Sequence, residues 1–384
     1  VTLSALSLCA TLWAATSTST AAADAPTVEL VVFAPGEAIY TLWGHAAIRV
    51  VDPVTRQDLA YNFGSIDFSG AFFARMMRGE VDAFVAVAPY HAMAEVYRRE
   101  ERSIRRLTLD LTPEEARHVA AELAARTADG PSHYRYHHFE DNCSTQVADT
   151  LDRALGGRLS HLAQGRSQAT LRRLALGYLR RDTLLYVAVD TLLTAPVDRP
   201  ITVWHTTFLP EELAKVLRGA TTPAGRPLVR SELLEFRGRD ADLHPQWTWP
   251  WTKVYLLFVA PLLFLALRFA RVATLLWTLV AGLSGCVLAV AWLGTGYDFL
   301  HGNWNLIALP PTHLLAGAVL LKTRWRERWI LRRGVRVYAG LHLAALIGLT
   351  VGVITGAVPQ AVGPVLGLAF GPAAVLLSRR YRTS

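Results

Sequence analysis

The sequence predicts an α+β soluble domain over residues 27–245, followed by an all-α transmembrane helix bundle over 252–384. Three observations support that division. Of the 384 residues, 52% are hydrophobic, too large a share for one ordinary soluble domain. The excess is concentrated after Lys253, where long apolar runs alternate with short loops. Before that point the mixture is that of a globular chain, long enough to bury one sizeable core.

The apolar runs number five, at 254–270, 272–293, 305–321, 336–358 and 362–377. A helix crosses a bilayer in about 17–25 residues. The last run is the shortest and holds Pro364 and Pro372. Basic residues then orient the bundle. Arg268 and Arg271 lie between the first two runs, a cluster from Lys322 to Arg336 between the third and fourth, and Arg379, Arg380 and Arg382 after the fifth. The alternate connections, 294–302 and 359–363, carry no Lys or Arg. The positive-inside rule therefore puts the basic loops in the cytoplasm and everything before the first helix outside it, in a bacterial inner membrane. The net charge of +8 reports that topology and gives no reason to invoke nucleic acid. Residues 1–23, apolar and then small, ending Ala21-Ala22-Ala23, read as a signal peptide or N-terminal anchor.

Within the soluble part, period-two apolar patterns place strands at 28–34, 45–51, 59–64, 81–88 and 104–109, the second and third forming a hairpin around Asp52-Pro53-Val54-Thr55. Helices are expected at 71–78, 93–101 and 113–128. The last has Thr112 as N-cap, Pro113 at its first position and Glu115 completing a capping box. A polar, aromatic loop, 134–142, leads into a helix over 143–155 that ends at Gly156-Gly157. The stretch 167–245 reads as further helices with Pro and Gly breaks, and Trp247, Trp249 and Trp251 mark the point of membrane entry.

The three cysteines divide the chain informatively. Cys9 lies in the leader-like segment, Cys286 in the second apolar run, and Cys143 alone in the soluble domain. An unpaired thiol in an oxidising compartment is either a small buried hydrophobe or a reactive group. Cys143 opens its helix, with Asn142 or Asp141 as N-cap. There the helix N-terminus favours a thiolate, and its free N–H groups could hold an oxyanion. A thiol nucleophile also needs an imidazole to manage its proton. His118 reads as a solvated helix residue, and His137 and His138 lie in a loop of undetermined geometry. His45 opens a strand just after Trp43-Gly44, where a missing side chain permits close approach by a helix or substrate. Counting across the hairpin sets Ala47 opposite Asn62, which puts Asn62 on the face of His45, able to orient its ring. Trp43, Gly44, Asp141 and Asn142 flank the pair and are expected to line a substrate site. No G-x-S-x-G elbow, phosphate-binding glycine loop or metal-ligand spacing occurs, so no metal and no cofactor is expected.

The segments Leu42-Trp-Gly-His-Ala-Ala-Ile-Arg-Val50, Tyr61-Asn-Phe-Gly64 and Tyr136-His-His-Phe-Glu-Asp-Asn-Cys-Ser-Thr145 resemble the Lnb-type lipoprotein N-acyltransferase family, over roughly 27–245. The Thr207-Phe-Leu-Pro210 segment fits the same family. The resemblance implies a circularly permuted papain-like (NlpC/P60-like) fold with histidine ahead of cysteine. It also implies that Cys143 is the nucleophile and His45 the base of an acyl transfer. The expected partners are a phospholipid acyl donor, a diacylglyceryl lipoprotein acceptor and the membrane itself. A cell-wall peptide hydrolase and a non-catalytic membrane sensor are the alternatives. The polar residues of the tail, His301, Asn303, Asn305 and His313, read as loop and helix-packing groups.

Overall fold

The computed structural model describes residues 24–68, 70–239, 250–321 and 329–377. The leader-like segment, Trp247 and Trp249, most of the basic loop and the C-terminal arginines lie outside the described residues. The chain forms two units. The first takes in the described residues of Val1–Met76, Glu80–Gln168 and Ile201–His244, and the second those of Met77–Gly79, Ala169–Pro200 and Pro245–Ser384.

The first unit is built on a seven-stranded sheet, β1 (Thr27–Phe33), β2 (His45–Asp52), β3 (Gln57–Ile66), β4 (Asp82–Pro89), β5 (Ile104–Leu109), β6 (His133–Arg135) and β7 (Val229–Phe236), in the order β6-β4-β3-β2-β1-β5-β7. Every pairing is antiparallel. The five inner strands are the five that alternation predicts. The two missed, β6 and β7, are the edges. β6 has three residues, and β7 lies in a stretch expected to be helical; most of its side chains are exposed, so no buried stripe shows in its sequence.

Period two sorts the inner strands onto two faces. Leu30, Ile48, Phe63 and Leu107 lie on one, packed with Leu123 of α3 (Pro113–Thr127), Leu151 of α4 (Cys143–Ala154) and Leu213 of the helix Pro210–Gly219. Val31, Phe33, Ala47, Ala60 and Ile104 face the other way, under Tyr90 and Met93 of α2 (Tyr90–Arg99). The short α1 (Phe72–Met77) lies between β3 and β4. The capping box at α3 forms as expected, Glu115 N donating to Thr112 Oγ1 and Thr112 N to the Glu115 carboxylate.

Among the described residues of the second unit, four helical segments are long and apolar enough to cross a membrane: Pro250–Arg268, Arg271–Gly294, Asp298–Leu321 and Arg333–Ile354. The fifth expected run forms the helix Gly363–Leu377, with 15 described residues. The third span is broken at Pro310-Pro311, where a proline ring cannot continue the ladder. Residues 169–200, expected in the soluble domain, group with these helices. Buried Arg172 binds Asp190 and Asp198, Trp251 Nε1 donates to Asp190, and Asn303 and Asn305 donate to the Thr191 carbonyl. Asn303 and Asn305 are thus packing residues, as expected. His313 is buried against Tyr338, and His301 bonds the Thr295 carbonyl.

Candidate active site

His45, the first residue of β2, and Asn62 of β3 meet through a 2.5 Å hydrogen bond between Nε2 and Oδ1. The pairing of Ala47 with Asn62 is the one the hairpin count gives. Since an amide oxygen only accepts, the bond assigns the proton of a neutral ring to Nε2 and leaves the Nδ1 lone pair basic. Asn62 Nδ2 in turn donates to Ser65 Oγ at 3.2 Å, which fixes the amide. The imidazole lies near a stacked aromatic pair, Phe33 and Tyr97, each having a centroid 6.1 Å from it.

Cys143 starts α4 with its sulfur facing the backbone N–H groups of Ala46, Ser144 and Cys143 itself. Gly64 has φ +79°, which favours glycine, and a Cβ built there would make a tight 3.3 Å contact with the Cys143 Cβ. Close approach by a helix is thus found at Gly64. Gly44 is also closely approached, by the β1 backbone: its φ is +80° and a Cβ there would meet the Phe33 carbonyl at 2.8 Å, in the turn into β2.

Residues 14–177 match the family model described as the Lnb N-terminal periplasmic domain, and residues 245–381 match the Lnb transmembrane domain. The chain belongs to the Lnb family. No curated protein and no solved structure matches it. As an Lnb-family chain it is a membrane protein with a periplasmic domain, and His45, Asn62 and Cys143 all fall within the first match.

The electrostatics of this Lnb site differ from the sequence expectation in one respect. A helix N-terminus was expected to draw the thiol pKa down. Instead burial pushes Cys143 up to about 11, outweighing the three N–H groups that lower it. Burial likewise pushes His45 down to about 4, against the Asn62 bond. At neutral pH both the Cys143 thiol and the His45 imidazole therefore rest uncharged.

Asn142 has its role set by α4. Its Oδ1 accepts from Ser144 N at 2.8 Å and Thr145 N at 3.1 Å, and its Nδ2 donates to the carbonyls of His138 and Phe208. That uses both amide protons and caps the helix, so the expected substrate contact gives way to a structural one. Asp141 accepts from Gln146 and is tied to His137 by paired backbone bonds. Trp43 is half-buried in the turn before Gly44. His138 is pushed down to about 4 by burial and lies edge-on to Tyr136, while His118 is exposed as expected.

Two residues near the pair escaped the sequence. Arg102 is 4% exposed, donates through Nε to the Ala34 carbonyl at 2.7 Å and through Nη1 to Glu100, and holds its guanidinium 4.6 Å from the Tyr97 ring centroid. Its charge lowers the pKa of both Cys143 and His45. In sequence it sits in Arg98-Arg-Glu-Glu-Arg102, which reads as a solvated helix end. Tyr97, stacked 3.7 Å from Phe33, had no signal beyond its place on an amphipathic helix. Among the described residues no group of three or more His, Cys, Asp or Glu is placed to hold a metal ion.

Proposed function

We propose that this chain is a lipoprotein N-acyltransferase with Cys143 as nucleophile, His45 as base and Asn62 as the residue that orients it. The observation that carries the reading is the Nε2–Oδ1 bond, which leaves His45 Nδ1 as a free base in the strand whose Ala46 N–H faces the Cys143 sulfur. A histidine on one strand, an asparagine on the next and a cysteine at a helix N-terminus also fit a permuted papain-like domain. The likeness to the Lnb family supports the choice of reaction, and membrane-capable helices suit substrates held in a bilayer.

In the first half-reaction the Cys143 sulfur attacks an ester carbonyl of a phospholipid as His45 Nδ1 takes the thiol proton. The S–C bond forms, the C–O bond breaks, and His45 returns the proton to the departing lysophospholipid hydroxyl. In the second, the α-amine of a lipoprotein's lipidated N-terminal cysteine attacks the thioester. The N–C bond forms, the C–S bond breaks, and the amine's surplus proton passes through His45 to the sulfur. The N–H groups of Ala46 and Cys143 are the donors placed to meet the carbonyl oxygen. Ser144 N is shared with the Asn142 cap.

The test is mass spectrometry of lipoprotein N-termini in cells that depend on this protein for N-acylation. Acylated α-amines with the wild type, and free amines with Cys143→Ala at equal abundance, are expected. Free amines with the wild type would overturn the reading. Release of peptide fragments from cell wall by purified protein would favour a hydrolase instead.

A further inference from the structure

Three large apolar side chains stand out into solvent on the loops that lead into β2 and out of β3. Ile39 is 63% exposed, Tyr40 72% and Phe68 59%. Tyr40 and Phe68 approach with ring centroids 6.1 Å apart, and Phe68 leans on Phe72 at 4.8 Å, so two separate loops make one aromatic patch. Both loops are tied to the catalytic strands. The first runs directly into His45, and the second leaves the end of β3, beyond Asn62.

The exposure is enforced by the backbone. The turn Ile39–Thr41 is closed by Gly36 N donating to the Thr41 carbonyl, Gly44 N donating to the same carbonyl, and Thr41 Oγ1 donating to the Ala38 carbonyl at 2.7 Å. Thr41 is buried, so Ile39 and Tyr40 are held outward on an anchored turn. The segment Ala38–Gly44 contains no charged residue. Val54, 66% exposed at the far hairpin tip, is by contrast a single apolar residue in a turn with no aromatic residue, Asp52 to Arg56, and needs no explanation. Clustered exposed aromatics beside a site mark an interaction surface.

The occupant follows from the rest of the chain. The protein carries its own membrane-capable helices, so a bilayer is always at hand. Phe72 is also covalently close to the membrane unit. Seven residues on, Gly79 abuts the backbone of Gly296, in the connection between the second and third spans. Seven residues reach at most about 25 Å even when fully extended. We infer that Ile39, Tyr40 and Phe68 form a lipid-facing lip that enters the acyl region of the outer leaflet beside Cys143. Aromatic rings at an interface suit that role, apolar body inward and the Tyr40 hydroxyl at headgroup level.

Insertion is measured without relying on the acyl-transfer reading. The full chain, with its native cysteines replaced, carries a polarity-sensitive fluorophore on Tyr40→Cys, Phe68→Cys or Val54→Cys and is reconstituted in phosphatidylethanolamine–phosphatidylglycerol vesicles. Emission at 40 and 68 should shift to the blue and be quenched by lipids brominated in their acyl chains, with neither change at 54. Identical behaviour at all three positions would overturn the inference.

A second arm rests on the proposed function. The triple variant Ile39→Ser, Tyr40→Ser, Phe68→Ser should lose about tenfold or more in Cys143 thioester formation from vesicle phospholipid, while acetylation of Cys143 by water-soluble p-nitrophenyl acetate stays within about twofold. Equal losses with both esters, or no loss with either, would count against a lipid lip. A wild type that never takes an acyl group from phospholipid would refute the transferase and leave the fluorescence arm to judge the lip.

Discussion

At the residue scale, the proposed function turns on how a buried thiol would be made to react. Cys143 titrates near 11 and His45 near 4 because both are shielded from water. Alkylation of Cys143 by iodoacetamide in the unliganded protein should therefore climb with pH towards about 11, where an ordinary thiol has levelled off. A slow reaction at neutral pH is the mark of burial and does not separate a catalytic domain from a binding one. Arg102 tunes both groups. Its cation favours thiolate and disfavours imidazolium, so Arg102→Met should move the alkylation profile to higher pH and let His45 protonate at higher pH too. Arg102→Lys should restore most of the profile. A merely structural arginine would change stability and leave the profile in place. Asn62→Ala should leave Cys143 reactive but free the His45 ring. Loss of one hydrogen bond of about 1–1.5 kcal/mol predicts roughly a tenfold fall in thioester formation by mass spectrometry.

At the scale of elements, the site exists because α4 is brought against the end of β2 and β3. Two residues set that approach, and each can be tested. Gly64→Ala forces a side chain into left-handed backbone and against Cys143, which should cost about 1–2 kcal/mol in folding and lower acylation by more than stability alone accounts for. Asn142→Ala removes the cap and orphans the bonds to His138 and Phe208. About 1–2 kcal/mol is expected, read as a lower unfolding midpoint. The inner strands, α3 and α4 were legible because their signals are local: alternation, capping residues and paired glycines. The hairpin register followed from one turn, and with it the His45–Asn62 relation. The edge strands were not legible, since an edge with a solvated face lacks a buried stripe. Arg102 was hidden for a different reason. Its burial depends on β1 and α2 meeting, which no local pattern in its own sequence records.

At the scale of the whole molecule, burial of neutral histidines links folding to acidity. His45 and His138 are both depressed to about 4 from an ordinary 6.5. In that window the unfolded chain binds the extra protons, so stability present above about 6.5 is lost as pH falls towards 4. Unfolding followed from pH 7 to 4 should show that loss, and it should be smaller in His138→Asn. Residues 169–200 are held with the membrane helices by a buried ionic cluster. Arg172, 5% exposed, binds the carboxylates of Asp190 and Asp198 and the carbonyl of Leu193, while Asp190 also accepts a hydrogen bond from the Trp251 indole N–H. Removing the cation alone strands two carboxylates away from water. Arg172→Met should thus cost about 3–5 kcal/mol and open the segment to protease between 178 and 200. Adding Asp190→Asn and Asp198→Asn removes the stranded charges while an amide oxygen can still accept from Trp251. Much of the stability should then return. If instead the triple variant is cleaved as fast as Arg172→Met, the arginine's contribution is packing of its stem, and charge balance is not what holds the segment to the spans.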